Sequence, residues 1–287
     1  MDWVNAVVQG TLLGGLYALF AAGLSLIFGV MRLVNIAHGD LIVLSAYLGL
    51  TVIMATGMHP LLALLIVMPT MAAIGYVLQR GILNQTLGDD LLPPLLVTFG
   101  LSVILQNLFL EGYTADPQKL DAGLLETASI SVGGLALGLL PLLTFAIAVG
   151  VIAGLQFIFY RTPLGRSFRA VSDNQEIAQL MGLNKRHIFG LAMALALAVT
   201  AIAGILLGIR TSFDPTAGSA RLIYGFEAVI IGGLGNLWGT LAGGVILGVA
   251  QTIGAKIDPG WQLLAGHIAF LVVLAIRPNG LFPRVSG

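Results

Sequence analysis

An amide, an imidazole and a carboxylate stand close together in Asn35-Ile36-Ala37-His38-Gly39-Asp40, between two apolar runs. An ionisable side chain at the centre of a bilayer costs at least about 2.5 to 3.5 kcal/mol on insertion scales, so it faces a cavity or a partner there. Either Arg32 and Asp40 sit at a surface hairpin, paired or hydrated, or Asn35 and His38 line a passage for a solute. A proton relay through His38 and Asp40 is a third reading. Thr98, Ser102 and Gln106 recur every four residues and stack on one helical face. Such a stripe is interhelical glue at about 0.6 kcal/mol per bond, or one wall of a passage. Glu227, after Tyr224-Gly225-Phe226, also needs a partner, and Arg221 and Arg210 are the nearest cations along the chain. With Gly233 and Asn236 these residues form the set assigned to a translocation path.

The segment from Arg161 to Arg186 reads differently. Pro163 and Gly165 break a helix, and Ser172 or Asp173 then caps a new one; Asp173 followed by Glu176 has capping-box spacing, with Asp in place of Ser or Thr. Ile177, Leu180 and Met181 fall on one face, with Ala178 between them, and Gly182 stops the helix. The result is a predicted helix of two to three turns, a length marginal in water. Buried apolar side chains contribute about 1.5 to 3 kcal/mol each, so the helix needs a surface. That surface is its own bundle or the lipid headgroups, with the basic flanks as anchors, or else a cytoplasmic partner.

Other chemistry is missing from the sequence. There is no G-x-x-x-x-G-K-[ST] phosphate loop and no Gly-Lys pair, so this chain is not expected to be an ATPase itself. The four histidines, 38, 59, 187 and 267, stand too far apart for a local metal motif, and no H-E-x-x-H occurs. Ser219 lacks the context of an elbow nucleophile. With zero Cys, thiol catalysis and thiolate metal sites are excluded. No catalytic residue, metal ligand or cofactor is therefore predicted in this chain.

The elements that must position these residues are membrane helices. Of 287 residues, 57% are hydrophobic and 9% charged, against roughly 25% charged in a soluble domain. A span takes about 20 apolar residues, so the length accommodates roughly eight. The predicted runs are about 6–30, 36–57, 60–79, 91–110, 139–160, 188–209, 237–254 and 261–276, and a shorter stretch, 222–234, reads as a re-entrant or broken helix. The fold class is thus all-α integral membrane, a single domain over 1–287 with a cytoplasmic loop at about 161–187. The chain opens Met1-Asp2-Trp3 without a basic n-region, so its first run is expected to remain as an anchor.

Starting outside, this scheme places Arg32, Arg80, Arg161, Arg166, Arg169, Lys185, Arg186, Arg277 and Arg284 in the cytoplasm and Lys119, Arg210, Arg221 and Lys256 outside, in accord with the positive-inside rule. The N-terminus is expected outside and the C-terminus in the cytoplasm. A formal net charge of zero implies no nucleic-acid partner. Two related halves are expected because each has an apolar run interrupted by small and polar residues, Val34 to Asp40 in the first and Gly232 to Gly239 in the second. Small residues four apart, Gly10/Gly14, Gly150/Gly154, Gly204/Gly208, Gly235/Gly239/Gly243 and Gly244/Gly248, are expected to bring helices close.

At several of these places the sequence resembles a known family. Gly10 to Leu19, Gly23 to Val30, Asn35 to Asp40, Ala46-Tyr47, Arg169-Ala170-Val171, Ala178, Gly182-Leu183-Asn184, Ala203-Gly204, Gly232 to Asn236 and the tail Arg277 to Phe282 look like the LivH-type permeases of branched-chain amino-acid ABC importers. The chain departs from that pattern at Met193 to Thr200. The resemblance implies an inner-membrane permease that pairs with a second homologous permease, two cytoplasmic ATPases carrying ATP and magnesium, and a periplasmic binding protein. Asp173 to Gly182 would then be the coupling helix. The competing transporter reading is a proton-coupled secondary carrier of small polar solutes.

Overall fold

Inside a bilayer every backbone N–H and C=O has to be satisfied within the chain, so long apolar runs fold as helices. Among the described residues, eight helices are long and apolar enough to cross a membrane. The computed structural model describes residues 2–88, 90, 92–132 and 135–282; Arg284, assigned above to the cytoplasm, lies outside them. In chain order the elements are α1 (Asp2–Met31), α2 (His38–Thr56), α3 (Pro60–Gly81), α4 (Leu92–Tyr113), the single turn α5 (Leu124–Thr127), the hairpin β1 (Ser129–Val132) and β2 (Leu135–Gly138), α6 (Leu139–Arg161), α7 (Pro163–Asp173), α8 (Gln175–Leu180), α9 (Lys185–Arg210), α10 (Gly218–Gly232), α11 (Leu237–Ile257) and α12 (Gln262–Ile276). The eight spans are α1, α2, α3, α4, α6, α9, α11 and α12. With 15 residues, α10 is about 22 Å long, short of a bilayer core of about 30 Å, and it is the short segment expected near 222–234.

Burial sorts the helices. α1 and α9 are buried along most of their length and form the axis, whereas α3, α4, α6 and α12 present mostly apolar outer faces. α1 packs most extensively on α11, and α9 on α3. The contacts repeat: α1 to α4 correspond to α9 to α12, α1 lying on α11 as α9 lies on α3. α2 lies on α9 as α10 lies on α1. Arg32, Arg80, Arg161, Lys185, Arg186 and Arg277 gather at one end of the bundle, called here the basic end; Gly57, Arg210 and Lys256 mark the other.

The repeat relocates one expectation. The interruption matching residues 32–37 is 211–217, the irregular lead into α10, and not Gly232 to Gly239. The latter is a tight hairpin between α10 and α11, the counterpart of the turn between α2 and α3. Both hairpins use a left-handed glycine, Gly57 at φ 68° and Gly233 at φ 103°, a conformation that a Cβ disfavours. The sequence reading failed there because a Gly-rich turn and an unwound lead-in are both small-residue interruptions.

Of the small-residue pairs, Gly10 and Gly14 meet Gly248 and Gly244 across the α1–α11 seam, where an added Cβ would approach backbone to 2.3–2.9 Å. Gly204 abuts α2 and Gly208 abuts Leu120 and Phe213. Gly150 and Gly154 meet nothing within 4 Å, so that pair makes no close contact inside this chain.

The connection 114–138 folds back over the end opposite the basic one. Gln118 and Phe213 exchange backbone hydrogen bonds of 2.8 and 2.9 Å. Glu126 accepts from the Ala122 N–H at 2.8 Å and pairs with Lys119. The Ala122 N–H, and then the Lys119 ammonium, hold its carboxyl below the usual carboxylate range. A depressed pKa contributes stability above the unfolded value of about 4.3 and loses it as pH falls through the folded value. The protection of the Ala122 amide, its exchange rate relative to the free-peptide rate at the same pH, is therefore expected to fall as the pH drops below the usual carboxylate range, and to be reduced at neutral pH in Glu126→Gln.

Candidate functional site

The chain leaves α1 at Arg32, itself at φ 53°, and climbs back into the bundle before α2 begins. The Asn35 Oδ1 accepts from the Ala37 N–H at 3.1 Å, and Thr98 Oγ1 on α4 accepts from the Ile36 N–H at 3.2 Å. The His38 Nε2–H donates to the Phe20 carbonyl at 3.0 Å, in space left by Gly23, where a Cβ would stand 2.7 Å from the imidazole. Ser102 Oγ donates to Asp40 Oδ2 at 2.5 Å and Gln106 Nε2 to Oδ1 at 3.1 Å. The stripe on α4 thus reaches the break between α1 and α2 directly.

Asn35, His38, Asp40, Thr98 and Ser102 are buried and Gln106 is half-buried. They form a packed hydrogen-bonded knot and line none of the larger hollows. No hydrogen bond joins His38 to Asp40 among the described residues, so the two do not make a relay in this arrangement. Asp40 also faces the start of α10: a Cβ on Gly218 would lie 2.2 Å from its Oδ1. The first turns of α2 and α10 therefore meet inside the protein with a carboxylate between them, where helix N-termini favour negative charge. Asp40→Ala would orphan the donors of Ser102 and Gln106 at about 1–3 kcal/mol each. It is expected to lower the unfolding temperature well beyond Ser102→Ala, a comparison read by thermal unfolding in detergent.

Glu227 takes neither arginine. Its Oε1 sits 2.5 Å from His267 Nδ1 on α12. The sequence could not supply this partner, because α12 returns to α10 only through the repeat. Gly233 turns the chain between α10 and α11, and a Cβ on Gly280 would lie 2.6 Å from it. Asn236 caps α11 by accepting from the Gly239 N–H at 2.9 Å and donates to the Phe282 carbonyl at the same distance.

Asn236 borders a hollow of about 420 Å³ at the basic end, shared with Ser25, Gly29, Gln156, Tyr160 and Arg169. A second hollow, of about 450 Å³, lies nearer the other end of α1 on the far face of that helix, lined by Tyr17, Arg210, Arg221, Tyr224 and Gln251. Arg221, assigned by the sequence to the outer side, stands one turn into α10 and is half-buried.

Beyond α6 the chain turns at Thr162, whose side chain accepts from the Gly165 N–H, and forms α7, a helix that the sequence reading took as a break. Phe168 and Val171 of α7 are buried. The Arg169 Nη1 donates to the Phe159 carbonyl at 2.5 Å with its guanidinium over Tyr160, and Ser172 Oγ donates to the Gly29 carbonyl at 2.8 Å. α7 is thus tied to both α6 and α1.

α8 follows after one residue. Its cap is Asn174, whose Oδ1 accepts from the N–H groups of Glu176 and Ile177 at 3.0 Å each. Asp173 is the last residue of α7, so the predicted Asp173–Glu176 box does not form, and α8 is six residues long, shorter than expected. Asn and Asp are near-equal caps, and the spacing favoured the wrong one. Gly182, at φ 87°, closes α8 with the Leu183 N–H on the Ala178 carbonyl at 3.0 Å. Ala178 is buried, while Ile177, Leu180 and Met181 are 59%, 86% and 79% exposed. The apolar face of α8 therefore does not dock on its own bundle.

Comparison with known proteins follows the same line. The model of the family described as "Branched-chain amino acid transport system / permease component" matches residues 6–276. Over 98% of this chain and 96% of each relative, the chain is 28% identical to the high-affinity branched-chain amino acid transport system permease protein BraD of Pseudomonas aeruginosa and 27% identical to the corresponding LivH of Escherichia coli. Among solved structures, PsaBC from Streptococcus pneumoniae in complex with Fab aligns with a TM-score of 0.51 at 11% identity, covering 94% of this chain and 91% of that one, a likeness of fold.

Proposed function

The chain belongs to the family of permease components of branched-chain amino acid transport systems, and from that membership we propose that it is the membrane subunit of an ATP-driven importer of branched-chain or other hydrophobic amino acids. It is a multi-pass membrane protein. In the proposed assembly a second homologous permease completes the conduit, two ATPases bind at the basic end, and a binding protein delivers the cargo at the other. The observation that carries the reading is the pairing of family membership with α8, an exposed apolar helix on a strap fastened to the central helix of the bundle. Three exposed large apolar side chains on so short a helix are a partner's contact rather than ordinary surface.

In this arrangement the basic end faces the cytosol, which puts the N-terminus outside and the C-terminus inside. The buried knot around Asp40 joins α2, α4 and α10, and cargo passes along the face of α1 that carries the hollow bordered by Arg221. The permease names of BraD and LivH lend nothing to a proton-coupled carrier. The test is uptake of radiolabelled leucine in cells carrying the complete transport system. Uptake is expected to require ATP and to survive an uncoupler; uptake that collapses with the proton gradient while ATP remains overturns the reading. The chain has no native cysteine, so Leu180→Cys reports the sidedness of α8 by thiol labelling in intact cells.

A further inference from the structure

The hollow at the far end from α8 is a site in its own right. α1 contributes Tyr17, α9 ends at Arg210, α10 brings Arg221 and Tyr224, α11 brings Gln251, and the turn at 259–263 closes over it. Arg210 Nη1, Arg221 Nε and Gln251 Nε2 are buried with no hydrogen-bond partner, and Gln251 is fully buried. Tyr17 donates to Gln251 Oε1 at 2.5 Å, while Gln251 Nε2 lies against Gly266 of α12, and the rings of Tyr17 and Tyr224 lie 5.0 Å apart. No Asp or Glu lines the hollow, and no described carboxylate lies within ion-pair distance of either arginine.

Two half-buried guanidinium groups at this end of the bundle, each with one buried nitrogen unpartnered, lack a counter-ion, and desolvating such a charge is costly. Guanidinium is also the side chain best matched to a carboxylate. Leu13, Leu16, Leu207 and Leu263 supply apolar wall, beside Thr211 and Gln262, and a volume of about 450 Å³ suits a small molecule. We propose that this hollow is a binding site for the carboxylate of an amphipathic acid, with Arg210 and Arg221 on the anion and the leucines around a short aliphatic chain. Taking that acid to be the cargo amino acid rests on the importer reading.

The test is equilibrium binding to the full chain in phosphatidylcholine nanodiscs, with leucine, isocaproate and isoamylamine as probes. Isocaproate keeps the carboxylate without the ammonium, and isoamylamine the reverse. Leucine and isocaproate are expected to bind saturably and isoamylamine not. Arg221→Gln and Arg210→Gln are each expected to weaken isocaproate at least tenfold while leaving the unfolding temperature of the unliganded chain unchanged or raised, since each removes one of two uncompensated cations. A residue needed only for folding would lower both. Equal binding of isoamylamine, inorganic phosphate competing as well as isocaproate, unaltered binding in both variants, or no binding of any probe overturns the proposal. ATP-dependent uptake that stands while the probes fail removes this site alone; probes that bind while uptake needs no ATP leave the site and remove the importer reading.

Discussion

Replacing Leu180 and Met181 together with Asp is expected to detach the ATPases and abolish ATP-driven uptake while the permease still inserts and folds. In the unpartnered chain both side chains lie in the open, 86% and 79% exposed, and surface changes away from special features fall within about 0.5 kcal/mol. Folding should therefore not register the change. The complex should, because burial of each side chain in a partner groove contributes about 1.5 to 3 kcal/mol. Losing both removes about 3 to 6 kcal/mol, or two to four decades in affinity at about 1.4 kcal/mol per decade. Co-purification of tagged permease with its ATPases measures this directly, and recovery at unchanged yield would sink the coupling role of α8. Ala178→Asp is the contrasting variant: it places a charge where the helix rests on its own support, so the loop itself should unfold.

Gly248→Leu is expected to have the largest effect on the permease itself. At Gly248 an added Cβ would stand 2.3 Å from the Gly10 carbonyl oxygen and 2.6 Å from the Gly14 nitrogen; at Gly244 it would stand 2.6 Å from the Gly14 carbonyl. These neighbours are backbone, so no rotamer change relieves the clash, and α1 and α11 have to separate. In lipid their contact depends on close van der Waals approach, because the bilayer is as apolar as the side chains. Overpacking a core costs about 1–3 kcal/mol where side chains can give way; here it should exceed that range and take folded yield down at least tenfold by size-exclusion chromatography. Gly150→Leu and Gly154→Leu carry the same spacing but meet nothing within this chain, and are expected to leave monomer yield intact. A Gly248→Leu chain recovered at wild-type yield would mean that the α1–α11 seam is not what holds the axis.

Spacing along the chain made the membrane spans legible because a bilayer imposes one length and one composition on each. The stop at Gly182 and the apolar triad of α8 were readable for a similar reason: cap and stripe are local. What escaped the sequence was fixed by tertiary geometry. Glu227 finds His267 across the α10–α12 contact, 40 residues away, where the nearest cations in sequence were Arg221 and Arg210. Those arginines turn instead toward Tyr17 and Gln251, brought there by α1 and α11. α7 was lost because Pro163 reads as a break, although proline in the first turn of a helix starts one as readily. An i, i+3, i+6 stripe of Arg221, Tyr224 and Glu227 was visible along α10, and it was the available signal that this short helix carries polar groups inward.

The head-on meeting of α2 and α10 has a mechanical consequence. Gly39 and Gly218 meet backbone to backbone, a Cβ on the former falling 2.0 Å from the latter's carbonyl oxygen, with the Asp40 carboxylate and Leu222 at the edge of the contact. The two glycines bring no side chains of their own to interlock, so this point resists compression more than it resists tilting. In the proposed importer, a rotation about this point is expected to pinch one mouth of the bundle while it spreads the other, as on a seesaw, with least displacement at the fulcrum. A bulky residue at Gly39 would therefore jam the motion of both mouths at once.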